Sequence, residues 1–260
     1  EPSIDLVIVR GLRAYASNRD RPMPMQPSQF AMILRKHLNN SRLIGVEQLG
    51  FDRVIQLEFE HGRGRLSIVI ELFRDGNVLL LDGEGVIIRP LTHAKYASRS
   101  LKKGEIYTPP PEAIDPRDLD RGTLDEILSG SNHALIRTLA SRANLGRVYG
   151  GAICSKSGLD EDMQSDSLSI EQRDSLESAM KGIMEDLEGG EGANIWLSDS
   201  KSKTSWVDAD NDSERDSAAT GIIEFSPIIL PSMDENMRVS VSSLSQVYDF
   251  IFGPHDASAF

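Results

Sequence analysis

Apolar and polar residues alternate from residue 4 to residue 16 with a break at Gly11, a period of two that predicts a pair of short strands. Pro22, Pro24 and Pro27 make residues 18–29 a loop, because each removes a donor from any ladder. Ser28 is placed to cap a helix over about 29–40. Its Phe30, Ile33, Leu34 and Leu38 form one stripe, while Arg35, Lys36 and His37 gather at the C-terminal end, where cations favour the helix dipole. Strands are expected next, at about 43–49, 53–60, 66–73, 77–82 and 86–89. "RDGN" at 74–77 makes a tight turn between the third and fourth, and "DGEG" at 82–85 makes the next.

"YTPPPEAIDPRD" at 107–118 ends this region, since its prolines stop strand and helix alike. A helical period follows. Leu124, Ile127 and Leu128 predict a short helix, Ala134, Leu135, Thr138 and Leu139 a second. Leu145, Val148, Tyr149, Ala152 and Ile153 predict a third, closed by Gly158 as a left-handed cap. Ser169 and Gln172 form a capping box ahead of a long helix, in which Leu176, Ala179, Met180, Ile183, Met184 and Leu187 share a face, stopped at Gly189-Gly190. Strands are expected near 194–198, 204–208 and 221–225, a mobile polar loop at 210–217, and a last helix over 240–253 capped at Ser242 or Ser243. The expected fold is α+β, in three parts. A mixed β-sheet domain occupies 1–113, a helical domain 114–190, and a β tail with a terminal helix 191–260.

One strand opens oddly. In "GFDRVIQLEFE" at 50–60, Ile55, Leu57 and Phe59 alternate with Gln56, Glu58 and Glu60, which predicts one buried face and carboxylates turned to solvent. Extended backwards, the alternation sets Arg53 in phase with the apolar side, next to Asp52.

Charge sharpens the picture. Residues 1–110 hold 16 Lys and Arg against 12 Asp and Glu, so this part is at +4 and the remaining 150 residues carry −16 of the net −12. Seven basic residues and one acid lie between positions 6 and 46. An acidic protein with a basic front can still engage a polyanion through that end, because screening confines each field to about 10 Å. The longest strongly apolar run, "LSIVIELF" at 66–73, is too short to span a bilayer and contains Glu71. A lone Cys154 excludes an internal disulfide and fits a reducing compartment, the cytoplasm.

The residues offer little for catalysis. The five histidines lack metal-ligand spacing, and no Gly-rich phosphate loop or nucleophile elbow occurs. Binding outranks chemistry.

Taken in order, "PSQFAMILRKHLNNSRLIGVEQLGFDRVIQLEFE", "IVIELFRDGNVLLLDGEG", "LKKGEIYTPPP", "ICSKSGLD", "IEFSPIIL" and "SLSQVYDFIFG" resemble the amino-terminal half of the NFACT proteins, of archaeal type. That family includes the bacterial fibronectin-binding protein A and the eukaryotic nuclear export mediator factor. The resemblance implies that residue 1 falls inside the first domain, and that a long coiled coil and a carboxy-terminal domain lie outside this chain. It implies a non-catalytic ribosome quality-control factor without cofactor, membrane or DNA. Such a factor binds the large ribosomal subunit, its RNA and proteins, with a stalled peptidyl-tRNA, and recruits aminoacyl-tRNA for untemplated C-terminal tailing. The coiled coil would be the route to a homodimer. The family's adjacent Asp-Arg pair, implicated in tRNA recruitment, falls on Asp52 and Arg53. Arg35 and Lys36 in the basic front, and Arg142, Arg147 and Lys156 in the helical domain, are the further expected phosphate contacts.

Two other functions stand against this one. The family's first two domains are similar in fold to the amino-terminal and helix-two-turn-helix domains of formamidopyrimidine-DNA glycosylases. Base excision would need an N-terminal Pro nucleophile and, usually, a cysteine zinc finger; here Glu1 precedes Pro2 and there is one cysteine. A fibronectin- or fibrinogen-binding adhesin, suggested by the older family name, would need a secretion signal or an anchor, and neither is visible.

Overall fold

The computed structural model describes residues 4–62, 64–190 and 192–258, and the chain divides into two compact units, Glu1–Ala113 and Ile114–Ala259. The first unit begins with a hairpin of β1 (Asp5–Val9) and β2 (Arg13–Ser17), followed by helix α1 (Gln29–Leu38). Ser28 caps α1, its hydroxyl accepting from the Ala31 N–H at 3.1 Å. A five-stranded sheet then runs in sequence order through β3 (Arg42–Gln48), β4 (Val54–His61), β5 (Gly64–Glu71), β6 (Val78–Asp82) and β7 (Ile87–Pro90). The short pair β8 (Ala94–Lys95) and β9 (Ser100–Leu101) follows.

The expected mixed sheet is corrected here: every pairing among the described residues is antiparallel. Each strand pairs with the next through a short turn, and the long crossovers that parallel neighbours require are missing from the sequence.

Both faces of the sheet are covered, which explains the unbroken apolar runs in β5 and β6. Leu57, Ile68, Ile70, Val78 and Leu80 pack under the α1 stripe of Phe30, Ile33, Leu34 and Leu38. Val54, Val69, Leu79, Leu81 and Ile87 face the opposite way, under Leu101, Tyr96 and Tyr107. The β5–β6 turn is tight enough to demand Gly76, since a Cβ there would sit 2.0 Å from the Glu71 carbonyl oxygen.

Four helices open the second unit: α2 (Arg121–Ser129), α3 (Leu135–Ser141), α4 (Gly146–Ser157) and α5 (Ile170–Gly189). Gly158 closes α4 in the left-handed region, and the Ser169–Gln172 capping box of α5 is complete. Three buried hydroxyls satisfy one another where α3 meets its neighbouring loops. Thr138 Oγ1 lies 2.7 Å from both Ser131 Oγ and Ser165 Oγ, and Ser165 also donates to the His133 carbonyl at 2.8 Å.

Beyond α5 come β10 (Ala193–Leu197), α6 (Ser200–Val207), α7 (Asp212–Ala218), β11 (Ile222–Ser226), β12 (Arg238–Val241) and α8 (Leu244–Ser258). The central strand β10 pairs with β11 and β12, and the helices cover this sheet through Trp206, Val247 and Phe250.

Three expectations fail in this region. Residues 204–208 are not a strand, because Asp199 caps a helix by accepting from the Ser202 N–H at 2.8 Å. That helix buries Trp206 edge-on against Phe250, with ring centroids 5.5 Å apart, and leaves Val207 exposed. Residues 210–217 are not a loop, because Asn211 caps α7 in the same way. The last helix is capped at Ser243 as expected, its hydroxyl accepting from the Gln246 N–H, but it starts at Leu244 rather than at 240. Residues 238–241 extend the sheet instead, since Val239 and Val241 alternate into its core.

Candidate nucleic-acid interface

The Asp-Arg pair lies outside the strand it was expected to open. β4 begins at Val54, which turns towards the Tyr96 and Tyr107 side, while Ile55, Leu57 and Phe59 face α1. Arg53 therefore sits in the β3–β4 turn and is exposed.

Four hydrogen bonds fix that turn. The Leu49 N–H donates to the Val54 carbonyl at 2.9 Å and closes the ladder. Gly50 takes φ +63°, a conformation that costs a side-chain-bearing residue about 1 kcal/mol or more. The Gln48 side-chain amide donates to the Asp52 carbonyl at 2.8 Å. Asp52 Oδ1 accepts from the Arg53 backbone N–H at 2.7 Å, and the Arg53 carbonyl accepts from the Leu72 N–H at 2.7 Å. Asp52 thus spends its carboxylate on the backbone. Among the described residues the Arg53 guanidinium has no ion-pair or hydrogen-bond partner.

Beneath the turn is a buried charge pair. Val54 pairs in register with Glu71, whose carboxylate is fully buried. The Arg99 guanidinium grips both of its oxygens, with Nη1 on Oε1 and Nη2 on Oε2 at 3.2 Å, and the Tyr107 hydroxyl donates to Oε1 at 3.0 Å. Arg99 also lies 4.6 Å from the Tyr96 ring centroid. Burial and the neighbouring carboxylate push the Tyr107 hydroxyl far above its ordinary pKa, so it is a permanent donor, and the hydrogen bond to Glu71 raises Arg99 despite its own desolvation. One signal for this brace was legible beforehand, the single carboxylate inside an apolar run. Nothing marked Arg99 or Gln48.

The other expected phosphate contacts do not gather around the turn. Arg35 and Lys36 are exposed near the C-terminal end of α1, and Lys36 lines a cleft with His61, at the far end of β4. At about 3.3 Å per residue, the seven steps from Val54 to His61 put the cleft that Lys36 lines roughly 23 Å from the start of β4.

In the second unit each expected basic residue has a local partner. Arg142 donates to the Gly130 carbonyl at 2.6 Å, capping α2. Arg147 lies 3.9 Å from Glu161, and Lys156 pairs with Asp186 at 3.2 Å. Nine residues apart on α4, Arg147 and Lys156 also point to opposite sides of the helix. Glu58 was expected to face solvent, yet it is half-buried, accepting from Gln56 Nε2 at 3.3 Å; Glu60 is exposed. Among the described residues no group of three or more His, Cys, Asp or Glu could hold a metal ion, and no helix is long and apolar enough to cross a membrane.

A β-rich unit followed by a helical unit with a small sheet is a fold already represented among solved structures. The N-terminal part of the fibronectin/fibrinogen-binding protein of Streptococcus suis has the same fold, with a TM-score of 0.60 over 93% of this chain and 79% of that one, at 20% identity. The fibrinogen-binding protein of Staphylococcus aureus agrees with a TM-score of 0.61. The family described as NFACT N-terminal and middle domains matches residues 6–226, and the chain belongs to that family. Among curated relatives, the archaeal Rqc2 homolog aRqcH of Methanocaldococcus jannaschii is 32% identical over 207 residues, covering 76% of this chain and 31% of its own length. The human ribosome quality control complex subunit NEMF is 38% identical over 86 residues, covering 33% of this chain and 8% of the human protein. The chain thus spans under a third of the curated relatives it matches.

Proposed function

We propose that this chain is the RNA-contacting part of a non-catalytic ribosome quality-control factor of the cytoplasm. It binds the large ribosomal subunit with its stalled peptidyl-tRNA and recruits aminoacyl-tRNA for untemplated tailing. Membership of the NFACT family and relatives named for ribosome quality control support the role.

The observation that carries the site is the Arg53 guanidinium, which has no partner among the described residues and sits on a turn whose described hydrogen bonds are made by other groups. Asp52 holds the backbone rather than the guanidinium, so the planar fork stays available for a phosphate or a base edge. Arg35 and Lys36 add a second, distant contact. Arg142, Arg147 and Lys156 reach phosphate only by exchanging a local partner, which makes them weaker contributors. Peptidyl transfer belongs to the ribosome, so no catalytic group is needed.

The test is recovery of tRNA and large subunits from cells with stalled ribosomes. Arg53→Lys keeps the charge and loses the fork, and the expected result is lost tRNA with subunit binding retained in part. Asp52→Ala should act through the turn and reduce recovery less than Arg53→Ala. Normal tRNA recovery with Asp52→Ala and Arg53→Ala together would remove the pair from the site.

A further inference from the structure

Two clefts meet at the rim made by the first residues of β5, Gly64 to Leu66, and by the β6–β7 turn. The first, about 540 Å³, lies on the α1 side and is lined by Lys36, His37, His61 and Arg65. The second, about 370 Å³, lies on the opposite face of the sheet, where Leu49, Leu81 and Tyr107 form apolar walls and Gln56, Glu58 and Ser67 supply polar groups. Arg65, Leu66, Asp82 and Gly83 border both.

We propose that the two clefts together hold one nucleotide of single-stranded RNA, with a guanine base in the second cleft and its phosphate on Arg65 and Lys36. This rests on the reading that the first unit contacts RNA. It goes beyond that reading in assigning a base-specific site on the sheet face, separate from the Asp52–Arg53 turn.

The phosphate end follows from the charges left free. Arg65 and Lys36 are exposed and have no hydrogen-bond or ion-pair partner among the described residues. Of the carboxylates around them, Asp82 is occupied, its Oδ1 accepting from the Glu84 and Val86 N–H groups at 3.0 and 2.9 Å, while Glu60 stands opposite Arg65 in the β4–β5 register and Glu84 borders the cleft without an ion pair to Arg65 or Lys36 among the described residues.

The base end follows from shape and from Glu58. The Tyr107 ring cannot swing away, because its hydroxyl is fixed on Glu71 and its N–H donates to the Gly85 carbonyl at 2.9 Å. With Leu49 and Leu81 it offers an apolar wall for a base plane, in a space that takes one splayed base and excludes a duplex. Glu58 lies across β3 over Gly45, where even a Cβ would come within 3.5 Å of its Oε2. Only Oε1 has a partner among the described residues, the Gln56 amide. With Oε2 free and a lone pair left on Oε1 beside the Gln56 amide, the carboxylate can accept from the parallel N1–H and N2–H donors of guanine. Adenine and cytosine present one amino group on that edge, and uracil one imide.

The probe is a labelled hexauridylate with one central guanosine, compared with the same strand carrying inosine, adenosine or uridine, with binding read by fluorescence anisotropy on the whole chain. Guanosine should bind best and inosine, lacking the N2 amino group, roughly tenfold more weakly. Glu58→Gln should erase the guanosine–inosine difference. Arg65→Ala should weaken all four strands alike and lower the salt slope by about one. Equal binding of guanosine and inosine, a preference that survives Glu58→Gln, or no binding at all would overturn the proposal. Both positions are solvent-accessible, and circular dichroism checks that each variant is folded. Because this assay contains neither ribosome nor tRNA, it can fail while tRNA recruitment through Arg53 stands, and the reverse.

Discussion

Replacing Arg99 with methionine tests the buried charge pair that supports the Asp52–Arg53 turn. The substitution keeps most of the volume and removes the cation paired with the fully buried Glu71 carboxylate, leaving the Tyr107 hydroxyl as its one side-chain donor among the described residues. Breaking a buried pair on one side costs about 3–5 kcal/mol, because the orphaned charge keeps its desolvation penalty without its partner. The lost stacking of the guanidinium on Tyr96 adds to this. At about 4 °C per kcal/mol, the first unit should melt roughly 12–20 °C lower. Both tryptophans, Trp196 and Trp206, belong to the second unit. Three of the five tyrosines, Tyr15, Tyr96 and Tyr107, lie in the first unit, so the tyrosine part of the near-ultraviolet dichroism should show an added early transition while tryptophan fluorescence keeps its wild-type midpoint. Adding Glu71→Leu to Arg99→Met should recover most of the loss, since an apolar pair of similar size is often neutral or stabilising. A loss below about 1 kcal/mol for the single variant, or a double variant no better than the single, would refute the account of Glu71 as a charge that needs Arg99.

Two further outcomes follow from local geometry. Ser169→Ala removes one half of the α5 capping box, in which the Ser169 hydroxyl accepts from the Gln172 N–H, and should cost the second unit about 1 kcal/mol in urea denaturation followed by tryptophan fluorescence. Burial pushes the Cys154 thiol up to about 11, so native protein should react slowly with iodoacetamide at pH 8 and fast once unfolded. The same shift has a sign: its stability contribution is intact below the thiol's ordinary pKa near 9 and is lost as the pH rises from there towards 11, because the unfolded chain releases the proton first.

Local chemistry written into the sequence determined most of the elements. The α1 stripe, the caps at Ser28, Ser169 and Gly158, and the strands of the five-stranded sheet are consequences of near neighbours along the chain, and each needs no knowledge of the rest of it. The Asp52–Arg53 pair was legible only through its resemblance to a family, since an adjacent acid and base carry no periodicity of their own. Tertiary structure decided the remainder. Thr204, Trp206 and Val207 have the composition of a strand, and only the packing of Trp206 on Phe250 with the cap at Asp199 makes them helical. Arg53 looked like a core-phase strand residue because alternation cannot say where a strand starts, and the Val54–Glu71 register places it one step outside. Glu71 and Arg99 are 28 residues apart, as distant in sequence as they are close in space. A buried carboxylate within an apolar run demands a partner, but the sequence cannot choose among the sixteen basic residues of that region. Only the folded chain, by bringing the segment after β8 back over the sheet, selects Arg99, because the desolvation penalty is offset solely by a donor within hydrogen-bond reach.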